Sequence, residues 1–184
     1  MRPLSPLAAQ RVIVAPAFSV VFPDPLGWSA QLPKARDYLR QFDDTLQSVL
    51  GERGLKKQWI YPPDLVRASK GSPTYAVDPY SLGSGVLRSP AVISGTRFGD
   101  PLTTQLRTMI ALQEDARAVL VPVEMHFEKE KSGLGVAVLR VALLDGRLGE
   151  VRWVGNVRSD PVDKPTAAML SSLASHLADL FTSP

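Results

Sequence analysis

Between Ala118 and Val157 three strand-like runs are separated by two Gly-containing turn signals, and this pattern commits the segment to an antiparallel sheet. In the first run, Val119, Val121, Val123, Met125 and Phe127 alternate with Leu120, Pro122, Glu124, His126 and Glu128. One face is expected in the core, and the other becomes polar outward. Ser132-Gly133 turns the chain into a second strand, Leu134 to Leu144, and Asp145-Gly146 turns it again into Val151 to Val157. The result is a three-strand meander.

The flanking sequence adds helices and parallel strands. Arg11 to Phe22 carries Val12, Ile13, Val14, Val20 and Val21, a β-branched run that predicts a buried first strand. Gln31 to Leu50 spaces Ala35, Leu39, Phe42, Leu46, Val49 and Leu50 as one helix face, with Arg36, Arg40, Asp43 and Asp44 on the other. Gly51 and Gly54 stop it. Gln58 to Tyr61 predicts a short strand ended by Pro62 and Pro63, and Asp64 to Ser69 one or two helical turns. Asp100-Pro101 is a helix start for the stripe Leu102, Leu106, Met109 and Ile110. Asp163-Lys164-Pro165 opens a last helix through Met169, Leu173, Leu177, Leu180 and Phe181. The predicted fold is α/β (α+β): a five-stranded mixed sheet in which an N-terminal βαβ crossover feeds the antiparallel meander, with helices packed on it.

At 184 residues one core suffices, so residues 11–184 read as a single domain. Residues 1–10, interrupted by Pro3 and Pro6, read as a tether or a trimmed end, too short for a signal-peptide core. The net charge of +3 is spread among carboxylates without a cationic stripe, which argues against nucleic acid as a partner. The chain has no cysteine, which removes disulfides, thiolate catalysis and Cys-based zinc. No apolar run of about 18 residues is present, so no transmembrane helix is expected.

Candidate chemistry is sparse. Glu124, His126 and Glu128 share one strand face, but same-face neighbours sit about 7 Å apart, so three ligands on a straight strand do not close around an ion. They read as a solvated face, not a metal site. His176 reads as a boundary residue of the last helix. No G-x-S-x-G elbow announces a hydrolase triad. Gly83-Ser84-Gly85 and Ser94-Gly95-Thr96 are not in phosphate-loop form and read as turns. No catalytic residue and no cofactor is therefore assigned. The Gly-, Pro- and Ser-dense segment Lys70 to Asp100 is the place for function, because long irregular segments in small domains often bind. Its Tyr75, Tyr80, Arg97 and Phe98 are of the types that dominate binding hot spots and form the candidate partner-binding set. The competing reading is that the aromatics pin the loop to its own core.

The strand opening Ala118-Val119-Leu120-Val121-Pro122, the stretch VALLDGRLGEVRWVG from Val141 to Gly155 and the amphipathic helix after it resemble a class of bacterial envelope lipoproteins. That class includes the curli-secretion channel lipoproteins, the penicillin-binding-protein activator lipoproteins and the N-terminal domain of TolB-like proteins. Asp145, Gly149 and Trp153 occupy its late-hairpin positions, and the resemblance runs in element order from Arg11 to Phe181. It implies a non-enzymatic accessory or assembly protein, periplasmic or outer-membrane associated, that binds another envelope protein or itself. A leader would then lie upstream of Met1. The sequence departs from the class in lacking a lipidation cysteine and amphipathic membrane-inserting hairpins. Two alternatives stand beside this reading: a small-molecule-binding or hydrolytic domain that uses the 70–100 loop, and a cytoplasmic adaptor.

Overall fold

The computed structural model describes residues 2–21, 25–74, 77–114 and 116–183, together with the backbone of Tyr75. In chain order its regular elements are β1 (Val12–Val14), β2 (Ser19–Val20), α1 (Ala35–Leu50), β3 (Trp59–Ile60), α2 (Pro62–Gly71), α3 (Leu102–Ala111), β4 (Ala118–Lys129), β5 (Gly135–Asp145), β6 (Glu150–Arg158) and α4 (Ala167–Ala178). The sheet order is β3-β1-β4-β5-β6, with β2 beside β4 beyond β1. β3, β1 and β4 run parallel, and β4, β5 and β6 antiparallel, so crossovers do feed the meander.

Two details depart from a simple alternation. The predicted first strand is two short pieces, both paired with β4, and Phe22 at its expected end lies outside the described residues. Pro16 sits in the gap and has no N–H for a ladder. Opposite the gap, β4 carries a bulge between Pro122 and Glu124. An extra residue moves the side-chain alternation by one. Val119, Val121 and Val123 accordingly pack on one side of the sheet with Leu102 and Leu106, whereas Met125 and Phe127 pack on the other with Phe42 and Leu173. The five apolar residues of this strand therefore do not share a single face.

Two apolar layers result. The larger joins α1 and α4 to the sheet through Phe42, Leu46, Leu50, Leu173 and Leu177, with Trp59 edge-on to Phe181 at 4.9 Å. Leu4 and Leu7 join it, Leu4 N–H donating to Leu180 O at 3.2 Å. The second layer holds α3, Leu65 of α2, and Leu82 and Leu87 from the irregular segment. That segment is organised as short 3-10 turns, Pro73–Tyr75, Pro79–Ser81 and Ser84–Arg88. Arg140 of β5 fastens it: its Nε donates to Leu87 O at 2.9 Å and its Nη2 to Ser89 O at 3.0 Å and Val92 O at 3.2 Å.

α2 starts at the two prolines, which suit a first turn because its N–H groups have no intrahelical acceptor. Asp64 accepts the Tyr61 N–H at 3.3 Å. At the head of α3, Asp100 accepts both the Thr104 N–H, at 3.1 Å, and its hydroxyl, at 2.6 Å. Gly54, at φ +86°, ends the helical path after α1.

Candidate functional site

Helical spacing puts Arg36, Leu39, Arg40 and Asp43 along one side of α1. Facing them are Ala17 and Phe18 of the β1–β2 link and the turn Asp78-Pro79-Tyr80-Ser81. Together they enclose an open groove of about 440 Å³. Past Arg40 and Tyr80 it continues into a smaller recess of about 220 Å³ between α1 and Pro62-Pro63.

Tyr80 stands on a rigid support. Asp78 caps the turn, accepting the Tyr80 N–H at 3.0 Å and the Ser81 hydroxyl at 2.9 Å. Tyr80 is a little under half exposed, and the Arg40 guanidinium lies 5.6 Å from its ring centroid, within cation–π range. Its phenol is pushed above the ordinary range by partial burial and then by the nearby Asp43 carboxylate. At the β1–β2 link, Arg88 lies 5.9 Å from the Phe18 ring centroid and 3.4 Å from Glu124.

Asp43 forms the floor. It is buried and accepts the Ala17 N–H at 2.8 Å. Burial pushes its carboxyl up to about 7; the Ala17 hydrogen bond opposes this and the Asp44 charge adds to it. The groove thus offers two guanidiniums, the Phe18 and Tyr80 rings and a floor carboxyl that is part-protonated near neutrality.

The residues expected to bind a partner do not gather at one place. Tyr80 is in the groove. Arg97 and Phe98 lie along the outer edge of β6: Arg97 is exposed in a bridge to Glu150, and Phe98 donates its N–H to Gly149 O at 3.0 Å. The Phe98 ring is half-buried against the second apolar layer. Tyr75 closes a 3-10 turn, and its side chain is outside the described residues. Helical periodicity alone assigns Arg36, Arg40 and Asp43 only to the polar side of a helix. A signal for Asp43 existed, since it continues the spacing of Leu39, Leu46 and Leu50 and so falls on the apolar stripe.

The row on β4 is held by ion pairs. Glu128 accepts from His126 Nε2 at 3.0 Å and from Arg158 at 2.7 Å, and these bonds, the first more than the second, keep its carboxyl below the ordinary range. Among the described residues no group of three His, Cys, Asp or Glu side chains is placed to hold a metal ion. His176 donates Nδ1–H to Arg158 O at 2.7 Å, tying α4 to the end of β6. No helix of the described residues is long and apolar enough to cross a membrane.

No protein-family model matches this chain, and no curated protein matches it in sequence. Among solved structures, it is similar to the PelC dodecamer from Paraburkholderia phytofirmans at 13% identity and a TM-score of 0.44, over 96% of this chain and 91% of that one. It is also similar to lipoprotein GNA1162 from Neisseria meningitidis at 15% identity and a TM-score of 0.38, over 91% of this chain and 94% of that one. Neither is one of the families that the late hairpin resembles.

Proposed function

We propose that this protein is a non-enzymatic accessory or assembly protein of the bacterial envelope, periplasmic or outer-membrane associated, that works by binding another protein in the groove between α1 and the Tyr80 turn. The observation that carries the binding reading is the pair Arg40 and Tyr80, stacked at 5.6 Å on two rigid supports at the mouth of an open groove. Arginine and tyrosine supply contact area and directional hydrogen bonds at little ordering cost, which is why they anchor interfaces. Arg36 and Arg40 favour an acidic segment of the partner. The envelope assignment rests on the sequence resemblance at Asp145, Gly149 and Trp153, which lie on the hairpin that joins β5 to β6.

The test is capture of partners from an envelope extract of the native host by wild type and by Arg40→Ala and Tyr80→Ala, with melting curves as the folding control. Each variant should melt like wild type and retain at least tenfold less partner, as loss of a hot-spot side chain implies. Phe98→Ala should instead lower stability by about 2 kcal/mol, since the ring packs on the second layer, and leave capture intact. Wild-type capture by both groove variants refutes the site. Recovery of the native gene product in the cytoplasmic fraction refutes the compartment. The groove volume also falls in the range of small-molecule sites, and a ligand that raises the wild-type melting temperature but not that of Tyr80→Ala favours that second reading.

A further inference from the structure

At the end of the sheet opposite the β4–β5 connection, the β5–β6 turn holds a second polar assembly, separate from the groove. Asp145 is fully buried, and its four contacts are all donors. Oδ1 accepts the N–H groups of Arg147 and Leu148, both at 3.0 Å. Oδ2 accepts Arg117 Nε at 2.9 Å and also Arg152 Nη2. Burial alone would raise this carboxyl, but the Leu148 N–H and Arg152 outweigh it and hold it below the ordinary range. One negative charge therefore fixes two positive ones.

Among the described residues each of these guanidiniums bonds to Asp145 alone, so both Nη groups of Arg117 and the Nε and Nη1 of Arg152 remain open donors. About half of each arginine side chain is exposed. Both line a cavity of about 230 Å³ whose other wall is apolar: Leu4 and Leu7 from the N-terminal turn, and Leu143 of β5. The cavity is smaller than most drug-sized sites, so its occupant is small. Excess positive charge in fixed, planar, fork-shaped donors selects a carboxylate or another planar oxyanion. An apolar wall selects a ligand with a hydrocarbon body. We propose that this cavity binds a small organic monocarboxylate, its headgroup on Arg117 and Arg152 and its short apolar body against Leu4, Leu7 and Leu143.

The full chain, isotope-labelled, is titrated by NMR at constant ionic strength with sodium hexanoate, with 1-hexanol and with inorganic phosphate. Hexanoate should give saturable shifts that move the Arg117 and Arg152 Nε–H signals together with the Leu4 and Leu7 methyls. Hexanol and phosphate, each carrying half of the recognised chemistry, should bind at least tenfold more weakly. Arg117→Gln leaves Asp145 with Arg152 and two backbone donors and should weaken hexanoate at least tenfold. Gln10→Trp, at an exposed position on the rim, fills the cavity without touching the charge cluster and should do the same. The proposal is overturned if hexanoate shifts stay linear, if hexanol or phosphate binds as tightly, or if both folded variants bind hexanoate like wild type.

Discussion

Replacing Asp43 by Asn isolates the cost of an ionisable group in the floor of the groove. The folded chain holds this carboxyl at about 7, while in the unfolded chain it titrates near 3.9. Between those values the folded state binds the extra proton, so stability is greatest below the unfolded value, falls as pH rises, and levels off above 7. A shift of about three units corresponds to about 4 kcal/mol in full, of which about 2–3 kcal/mol falls between pH 5 and pH 8. The amide introduced by Asp43→Asn keeps an oxygen for the Ala17 N–H and never ionises. The variant should match wild type within about 1 kcal/mol at pH 5 and exceed it by about 2 kcal/mol at pH 8. The charges around the floor are present in both proteins, so the difference between the two stability curves isolates the Asp43 carboxyl together with its coupling to Asp44 and Tyr80. Urea unfolding at pH 5, 6, 7 and 8, followed by fluorescence of the buried Trp28 and Trp59, reads the quantity directly. Parallel stability curves for the two proteins across that range would refute a buried, proton-accepting Asp43.

Two further substitutions test the packing that supports the sites. Gly135→Ala should destabilise by about 1–3 kcal/mol in urea melts, because a β-carbon there would come within 2.3 Å of the Trp28 ring and 2.7 Å of Leu26. Arg140→Met should cost about 2–3 kcal/mol by leaving the carbonyls of Leu87, Ser89 and Val92 without their charged donor; limited proteolysis should then cut first within residues 84–93, and an unchanged cleavage pattern would show that other contacts hold the segment.

The apolar runs and the Gly-containing turns between them made the meander legible, because both are local signals. What the sequence hid was non-local. That Arg140 would reach three loop carbonyls follows from the loop's path over the sheet, and nothing near position 140 marks it. Of the expected binding residues whose side chains are described, Tyr80 alone reaches the groove, since Gly- and Pro-rich composition tells that a segment is irregular and not where its turns dock. Leu4 and Leu7 pack through a contact with Leu180, at the far end of the chain, which no local window contains.

The groove itself traces to two prolines. Pro16 withholds a ladder N–H, and Pro122 sits at the bulge of β4 opposite it. Between the pairs Val14–Leu120 and Ser19–Glu124, residues 15–18 face residues 121–123, so four residues on one strand span three on the other and the parallel ladder is locally out of step. Ala15 and Phe18 still donate to Leu120 O and Pro122 O, but the Ala17 N–H turns away from the sheet. A buried N–H needs an acceptor, and the apolar stripe of α1 supplies one at the helical position where Asp43 replaces a hydrocarbon. That bond sets α1 against the β1–β2 link and places Arg36 and Arg40 at the mouth. The same bulge turns Met125 and Phe127 toward α1, where Phe127 meets Trp28 at 5.8 Å and Tyr38 at 6.1 Å. One register slip in β4 thus fixes both the packing beneath α1 and the polar floor beside it, which is why the groove was not visible in any single segment.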